Sequence, residues 1–257
     1  MDNVSLHARF EEARKAVQQA SIFLLSHEDL RSSITAKAEN DYVTSADKEC
    51  ERLILSALAG KFPDDSFLGE ESGTYGESRC RWIIDPIDGT VDFMASFPDY
   101  TISVAFEDED GLAFGIVMVP RQNEEFSAFR GEGAWLNGKR IHTDETTPLK
   151  ETLAILVPPH RHHRYLHEYM ERMERFYYVI SDMRSLGSAA ISLCYVAAGR
   201  VSMYYELGLH IYDCAAGIVI VREAGGAVTL LTEDEDWIEI AASSASAHDA
   251  MMGCING

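Results

Sequence analysis

With 257 residues, 46% of them hydrophobic and 25% charged, the chain can bury a substantial core and is too ordinary in composition for wholesale disorder. Its 22 basic and 42 acidic residues leave a formal charge of −20, which repels polyphosphate backbones and anionic lipid, so nucleic-acid polymer and membrane are poor partners. The five cysteines, Cys50, Cys80, Cys194, Cys214 and Cys254, are scattered and form no CxxC pair, which excludes a disulfide scaffold or zinc ribbon and suits a reducing compartment. No run approaches the ~18 apolar residues of a membrane span, and Met1-Asp2-Asn3 opens no signal pattern, so the reading is a soluble cytoplasmic chain.

Leu6, Phe10, Ala13, Val17, Ala20 and Leu24 recur at helical spacing with charges between them, which predicts an amphipathic first helix. A second helix starts at Thr44 or Ser45, whose hydroxyl can cap it, and runs through Cys50, Leu53, Ala57 and Leu58 until Gly60 and Pro63 stop it. From Arg81 the texture turns to strands: Trp82 to Ile84, then Thr101 to Phe106 and Leu112 to Val119 as an antiparallel hairpin about the turn at residues 107–111. Beyond Pro148 strand and helix alternate. Leu153 to Val157 reads as extended, Arg161 to Phe176 as helical, Ser188 to Ala198 as helical, Ser202 to Leu207 as extended and Asp213 to Glu223 as helical. The change of texture divides the chain into residues 1–147 and 148–257, two halves packed tightly without a flexible linker.

The most informative segment is Trp82-Ile83-Ile84-Asp85-Pro86-Ile87-Asp88-Gly89-Thr90, where an apolar strand runs into two carboxylates three residues apart. Hard divalent cations take oxygen ligands in a compact cage, and a carboxylate pair on such a turn offers one. Gly89 lets the backbone approach a ligand, and the N–H groups near Gly89 and Thr90 would face an anion if a helix begins there. The bland alternative is that Asp-Pro and Asp-Gly are only turn formers. Three further segments weigh against it: Asn40 to Asp47 opening the second helix, Phe67-Leu68-Gly69-Glu70-Glu71-Ser72-Gly73 with its acid pair, and Tyr204 to Gly217 with Asp213 at the start of an apolar helix.

These four segments, in this order, resemble the signatures of the inositol monophosphatase family of magnesium-dependent, lithium-sensitive phosphatases, and Arg184 to Ala190 and Arg222 to Gly226 agree. The resemblance spans about residues 37 to 230. It implies a mixed α/β fold, the layered α/β/α/β/α sandwich of the inositol monophosphatase and fructose bisphosphatase type, with the site where the halves meet and a homodimer as the usual assembly. It further implies two to three magnesium ions: Glu70, Asp85 and the carbonyl of Ile87 for the first, Asp85, Asp88 and Asp213 for the second, and a third near Glu70 through waters. Thr90, supported by Asp47, would orient the attacking water, with Glu70 in the same catalytic group. Asp88, Gly89, Thr90, Gly187, Ser188, Ala189 and Glu206 would contact substrate. Two positions depart from the usual pattern, Asp92 for Asn and Tyr212 for Trp, and the chain stops at Gly257 with little room for the terminal helix many relatives have.

The implied activity is hydrolysis of a small phosphorylated polyol or sugar, such as inositol monophosphate. A 3′-phosphonucleotide, fructose 1,6-bisphosphate or histidinol phosphate would keep the chemistry, and a non-catalytic binding module would drop it. The remaining features read blandly. His160, His162, His163 and His167 form a solvated helix entrance rather than a zinc site, His210 supports Asp213 without binding metal, and the acidic runs 107–110 and 233–236 are solvated turns. Tyr204 and Tyr205 are packing residues, and the remaining alternative for Glu206 is a solvent-facing acid at a strand end.

Overall fold

The computed structural model describes residues 2–38, 41–160, 162–233 and 237–257. Asn40, Arg161 and the acids 234–236 therefore lie outside the described residues. Helix α1 (Asn3–Ser26) is capped by Asp2, whose carboxylate accepts the Ser5 N–H, and it buries Leu6, Ala13, Val17, Ala20 and Leu24, the predicted stripe. A hairpin, β1 (Ile34–Ala38) and β2 (Asp41–Thr44), leads into α2 (Ser45–Lys61), capped by Thr44.

The large sheet follows: β3 (Ser66–Gly69), β4 (Gly73–Tyr75), β5 (Arg81–Asp88), then the short helix α3 (Thr90–Met94), β6 (Thr101–Asp108), β7 (Gly111–Val119), β8 (Glu124–Phe129), β9 (Gly133–Leu136) and β10 (Lys139–Ile141). Its strand order is β10-β9-β8-β7-β6-β5-β3-β4, antiparallel except where β3 lies parallel to β5. The smaller sheet takes β11 (Leu153–Leu156), β12 (Asp182–Arg184), β13 (Met203–Leu209), β14 (Ala227–Glu233) and β15 (Ile238–Ser243) in the order β12-β11-β13-β15-β14. Helices α4 (Leu166–Tyr177), α5 (Ala189–Ala197), α6 (Ile211–Glu223) and α7 (His248–Asn256) complete the described elements. The terminal helix for which the sequence leaves little room is therefore present as α7, only nine residues long, with Met251, Cys254 and Ile255 buried against the smaller sheet.

Layering follows from the period of two in each strand. Along β5, Trp82 and Ile84 face the cluster under α1 and α2, while Ile83 faces the opposite cluster around α5 and α6. Along β13, Tyr204 faces that same middle layer while Met203, Tyr205 and Leu207 face α4 and α7. Both sheets are thus covered on both faces, which gives the layered α/β/α/β/α sandwich. Helix α6 lies unusually near β7: a Cβ at Gly115 would fall 2.5 Å from the Ala216 carbonyl oxygen. That approach brings the start of α6, with Asp213, against the end of β5.

Candidate active site

The site is built from the ends of elements. Strand β5 loses its regular pairing with β6 between Asp85 and Asp88, and the irregularity turns both carboxylates to one side. The Ile87 N–H donates to Asp85 Oδ1 at 3.1 Å, which fixes the first acid against its own turn. Gly89 then takes φ +89°, a left-handed conformation that glycine adopts without a Cβ penalty, and α3 begins at Thr90.

Asp213 arrives on the third residue of α6, where its Oδ2 accepts the His210 N–H at 2.5 Å. His210 and Asp213 form a capping box at the start of α6, which fixes the acid against the helix end. Asp88 Oδ2 accepts the Ser188 hydroxyl at 2.6 Å and the Ala190 N–H at 2.7 Å, both from the start of α5. Asp85, Asp88 and Asp213 are all buried, and each offers an oxygen within 4.8 Å of the others'. Burial, and then the charges of Glu70, Asp88 and Asp213, push the Asp85 carboxyl well above the ordinary range. Burial and the charge of Asp213 push Asp88 up to about 7, against the hydrogen bonds from Ser188 and α5. So much like charge in one buried place is unfavourable alone and becomes favourable around a hard divalent cation, whose preferred donors are carboxylate and carbonyl oxygens. The donor set fits magnesium.

Beside the acids stands a second unit. Asp47, on the first turn of α2, is fully buried; its Oδ2 accepts both the N–H and the hydroxyl of Thr44, at 2.8 and 2.6 Å. Its other oxygen faces Thr90, whose Oγ1 lies 3.1 Å from Asp47 Oδ1 and 3.1 Å from the Ile87 carbonyl oxygen. Burial is the main cause that raises the Asp47 carboxyl, and the bonds from Thr44 and Thr90 oppose it. The starts of α2, α3, α5 and α6 all meet here, so the positive ends of helix dipoles face a site otherwise made of acids.

A cavity of about 580 Å³ opens over this floor. Glu70, Asp85, Ile87, Asp88, Gly89, Thr90 and Asp213 line one side, Gly187, Ala189 and Glu206 another, and Val157, Pro158, Leu186 and Leu209 make it partly apolar. Two sequence-predicted residues stand behind the wall. Asp47 accepts the Thr90 hydroxyl from behind, and Ser188 turns its hydroxyl to Asp88 rather than to the cavity. Glu206 is buried and accepts the Tyr204 hydroxyl at 2.6 Å, which overturns the solvent-facing alternative and gives Tyr204 a polar task besides packing. Asp92, one of the two departures, lines the cavity and packs its carboxylate on the loop before α5, where a Cβ at Gly187 would fall 2.6 Å from Asp92 Oδ2. Sequence reasoning missed Glu51, one turn beyond Asp47 on the same face of α2 and also buried; the spacing of four was the available signal.

Fold and site together define a class: layered α/β/α/β/α proteins with a buried carboxylate cage where β5 meets the helix starts. The chain belongs to the inositol monophosphatase family, whose sequence profile matches residues 6–256. Among its relatives is the Nus factor SuhB of Pasteurella multocida strain Pm70, 38% identical over 228 residues, 88% of this chain and 85% of that protein. The Nus factor SuhB of Escherichia coli K12 is 33% identical over 237 residues, 91% of this chain and 89% of that one. Among solved structures, the extragenic suppressor protein suhB of Bartonella henselae superposes with a TM-score of 0.90 at 31% identity, covering 97% of this chain and 98% of that one. An IMPase of Thermotoga maritima gives 0.87 at 31% identity and covers 97% of each.

Proposed function

We propose that this protein is a magnesium-dependent phosphomonoesterase that hydrolyses a small polyol phosphate such as inositol monophosphate. The observation that carries the reading is the convergence of Asp85, Asp88 and Asp213, with oxygens within 4.8 Å of one another, on the floor of a 580 Å³ cavity. Glu70, Asp85, Asp88, Asp213 and the Ile87 carbonyl would hold two to three magnesium ions, which when bound supply charge neutralisation for the phosphate and a lowered water pKa. The protein's own groups do the rest. Thr90 Oγ1 accepts a hydrogen bond from the attacking water and passes its own proton towards Asp47 Oδ1, whose burial favours taking it up. As the water oxygen bonds to phosphorus, the ester P–O bond breaks and the leaving alkoxide takes a proton from a second water in the cavity, whose hydroxide is neutralised by the proton that Asp47 releases, giving inorganic phosphate and the free polyol. Glu206 and the amides near Gly187 and Ala189 face the leaving alcohol.

Inositol monophosphate leads the substrates: Glu206 repels a second phosphate at that edge, which disfavours fructose 1,6-bisphosphate and a bisphosphorylated 3′-phosphonucleotide, while histidinol phosphate, a monophosphate, is separated from it by the substrate panel. Lithium sensitivity, a homodimer and a cytoplasmic setting belong to the same reading. Among the described residues no helix is long and apolar enough to cross a membrane. Phosphate release over these four substrates, with magnesium and with chelator, tests it; no magnesium-dependent release from any would refute it. A second reading comes from the name Nus factor that relatives at 33 to 38% identity carry: the fold would then serve this chain as a binding module. It predicts a role untouched by loss of the acids, so Asp85→Asn separates the two.

A further inference from the structure

We infer that Glu51 is a positioning residue for the cation site: it fastens the turn that carries Glu70. The inference rests on reading the acid cluster as a cation site. Glu51 lies on α2, four residues beyond Asp47, with 2% of its surface exposed. A carboxylate so buried needs compensation, and among the described residues no ion pair supplies it. Its partner is backbone: Glu51 Oε2 accepts the Glu71 N–H at 2.9 Å.

The amide just before, that of Glu70, donates to the Ile84 carbonyl of β5 at 3.1 Å. Two successive amides are therefore tied to two different elements, one to α2 and one to β5. The Glu70 Cα lies between the two anchors, and Glu70 lines the cavity together with Asp85. The turn is moulded around the Glu51 carboxylate. A Cβ at Gly69 would fall 2.6 Å from Glu51 Oε2 and 2.7 Å from Ser72 Oγ, so the residue before Glu70 can carry no side chain while Glu51 stays in place. Charge-assisted bonds to backbone N–H groups are shorter and stronger than neutral ones, which suits an acid at this position. Helix α2 thus sends two acids into the site's support, Asp47 to Thr90 and Glu51 to the Glu70 turn.

The test titrates magnesium into the intact protein by calorimetry and follows phosphate release in parallel. Glu51→Ala is expected to weaken magnesium binding by roughly tenfold with an unchanged circular dichroism spectrum, the scale of losing one charged hydrogen bond. Glu51→Gln keeps an acceptor for the Glu71 N–H and should bind within about threefold of wild type, on the smaller loss expected for a neutral bond. Gly69→Ala, which leaves Glu51 intact but displaces its carboxylate, should reproduce the loss of Glu51→Ala. In a Glu70→Gln background, Glu51→Ala should add little, because the group it positions is already neutral. Wild-type affinity in Glu51→Ala, an equal loss in Glu51→Gln, or a loss that simply adds to that of Glu70→Gln would each overturn the inference. Magnesium binding by wild type without phosphate release from any ester would sink the phosphatase reading alone, with Glu51 still judged by the titration. No binding by wild type would sink both.

Discussion

The Ser188 hydroxyl donates to Asp88 Oδ2 at 2.6 Å, joining two residues a hundred positions apart in the chain. The same oxygen of Ser188 accepts the Ile191 N–H at 3.2 Å, so one hydroxyl both caps α5 and orients an acid of the cage. Removing it should have two separable effects. Ser188→Ala is expected to lower stability by about 1 kcal/mol, the usual value of a lost N-cap. It should also weaken magnesium binding several-fold, because Asp88 then keeps the Ala190 N–H as its main anchor. Urea unfolding in chelator reads the first and calorimetry the second; unchanged magnesium affinity would show that α5 orients Asp88 without the hydroxyl.

Asp85 lies at the centre of the like charges. Asp85→Asn should remove nearly all phosphate release, since this acid borders Glu70, Asp88 and Asp213. In the metal-free protein the same change should raise Tm, because it deletes a buried charge that its neighbours oppose. Thermal melts with and without magnesium check both. A variant that hydrolyses at the wild-type rate would remove Asp85 from the cage.

The metal-free protein should become less stable as pH rises from about 4 towards 7. Asp47, Asp85 and Asp88 all have folded-state pKa values above the ordinary 3.8, with Asp88 at about 7. Between the unfolded and folded values the native state holds more protons than the unfolded chain, and stability then falls with rising pH. Below the unfolded value that contribution is fully present. Saturating magnesium stabilises the ionised acids and should flatten or reverse the slope. Melts across this range in chelator and in magnesium test it; parallel curves would contradict the cage.

Much of this was legible in the sequence because the signals were local. The α1 stripe, the Thr44 cap, the β6–β7 hairpin and the acids on either side of Pro86 each occupy a few consecutive residues. What was not legible depends on separation. Strands β8 to β10 and β14 to β15 carry ordinary sequences whose place is set by neighbours in the sheet. Ser188 reads as part of a substrate turn until the first turn of α5 is seen to rest on Asp88. Glu51 looks like one more acid on a charged helix, and only the close passage of the Gly69 turn gives it a task.

Thr90 and Asp47 should behave as one unit. Thr90→Ala and Asp47→Asn are each expected to lower kcat by ~10²-fold or more, the scale of a lost positioned acid or base, with a double variant little worse than either. Asp47→Asn also disturbs the Thr44 cap, so its effect on stability is measured alongside. Additive losses of tenfold or less would leave water activation to other groups.

Glu206 sits in the cavity wall near the end of β13, seven residues before Asp213, with one oxygen held by the Tyr204 hydroxyl at 2.6 Å. A carboxylate anchored in this way keeps a fixed direction, and a carboxylate in a cavity wall accepts hydrogen bonds from neighbouring hydroxyls of a polyol. It also repels an anion at the same edge. Glu206→Gln should therefore lower kcat/KM for inositol monophosphate by roughly tenfold, about 1.4 kcal/mol for weakening a charged hydrogen bond, while a simple aryl phosphate is hydrolysed almost as before. Tyr204→Phe leaves the acid in place but frees its direction, so it should shift the same ratio in the same sense by a smaller factor. Equal losses on both substrates in Glu206→Gln would mean that the acid supports the cage and not the leaving alcohol, and the substrate would then have to be sought among esters without neighbouring hydroxyls.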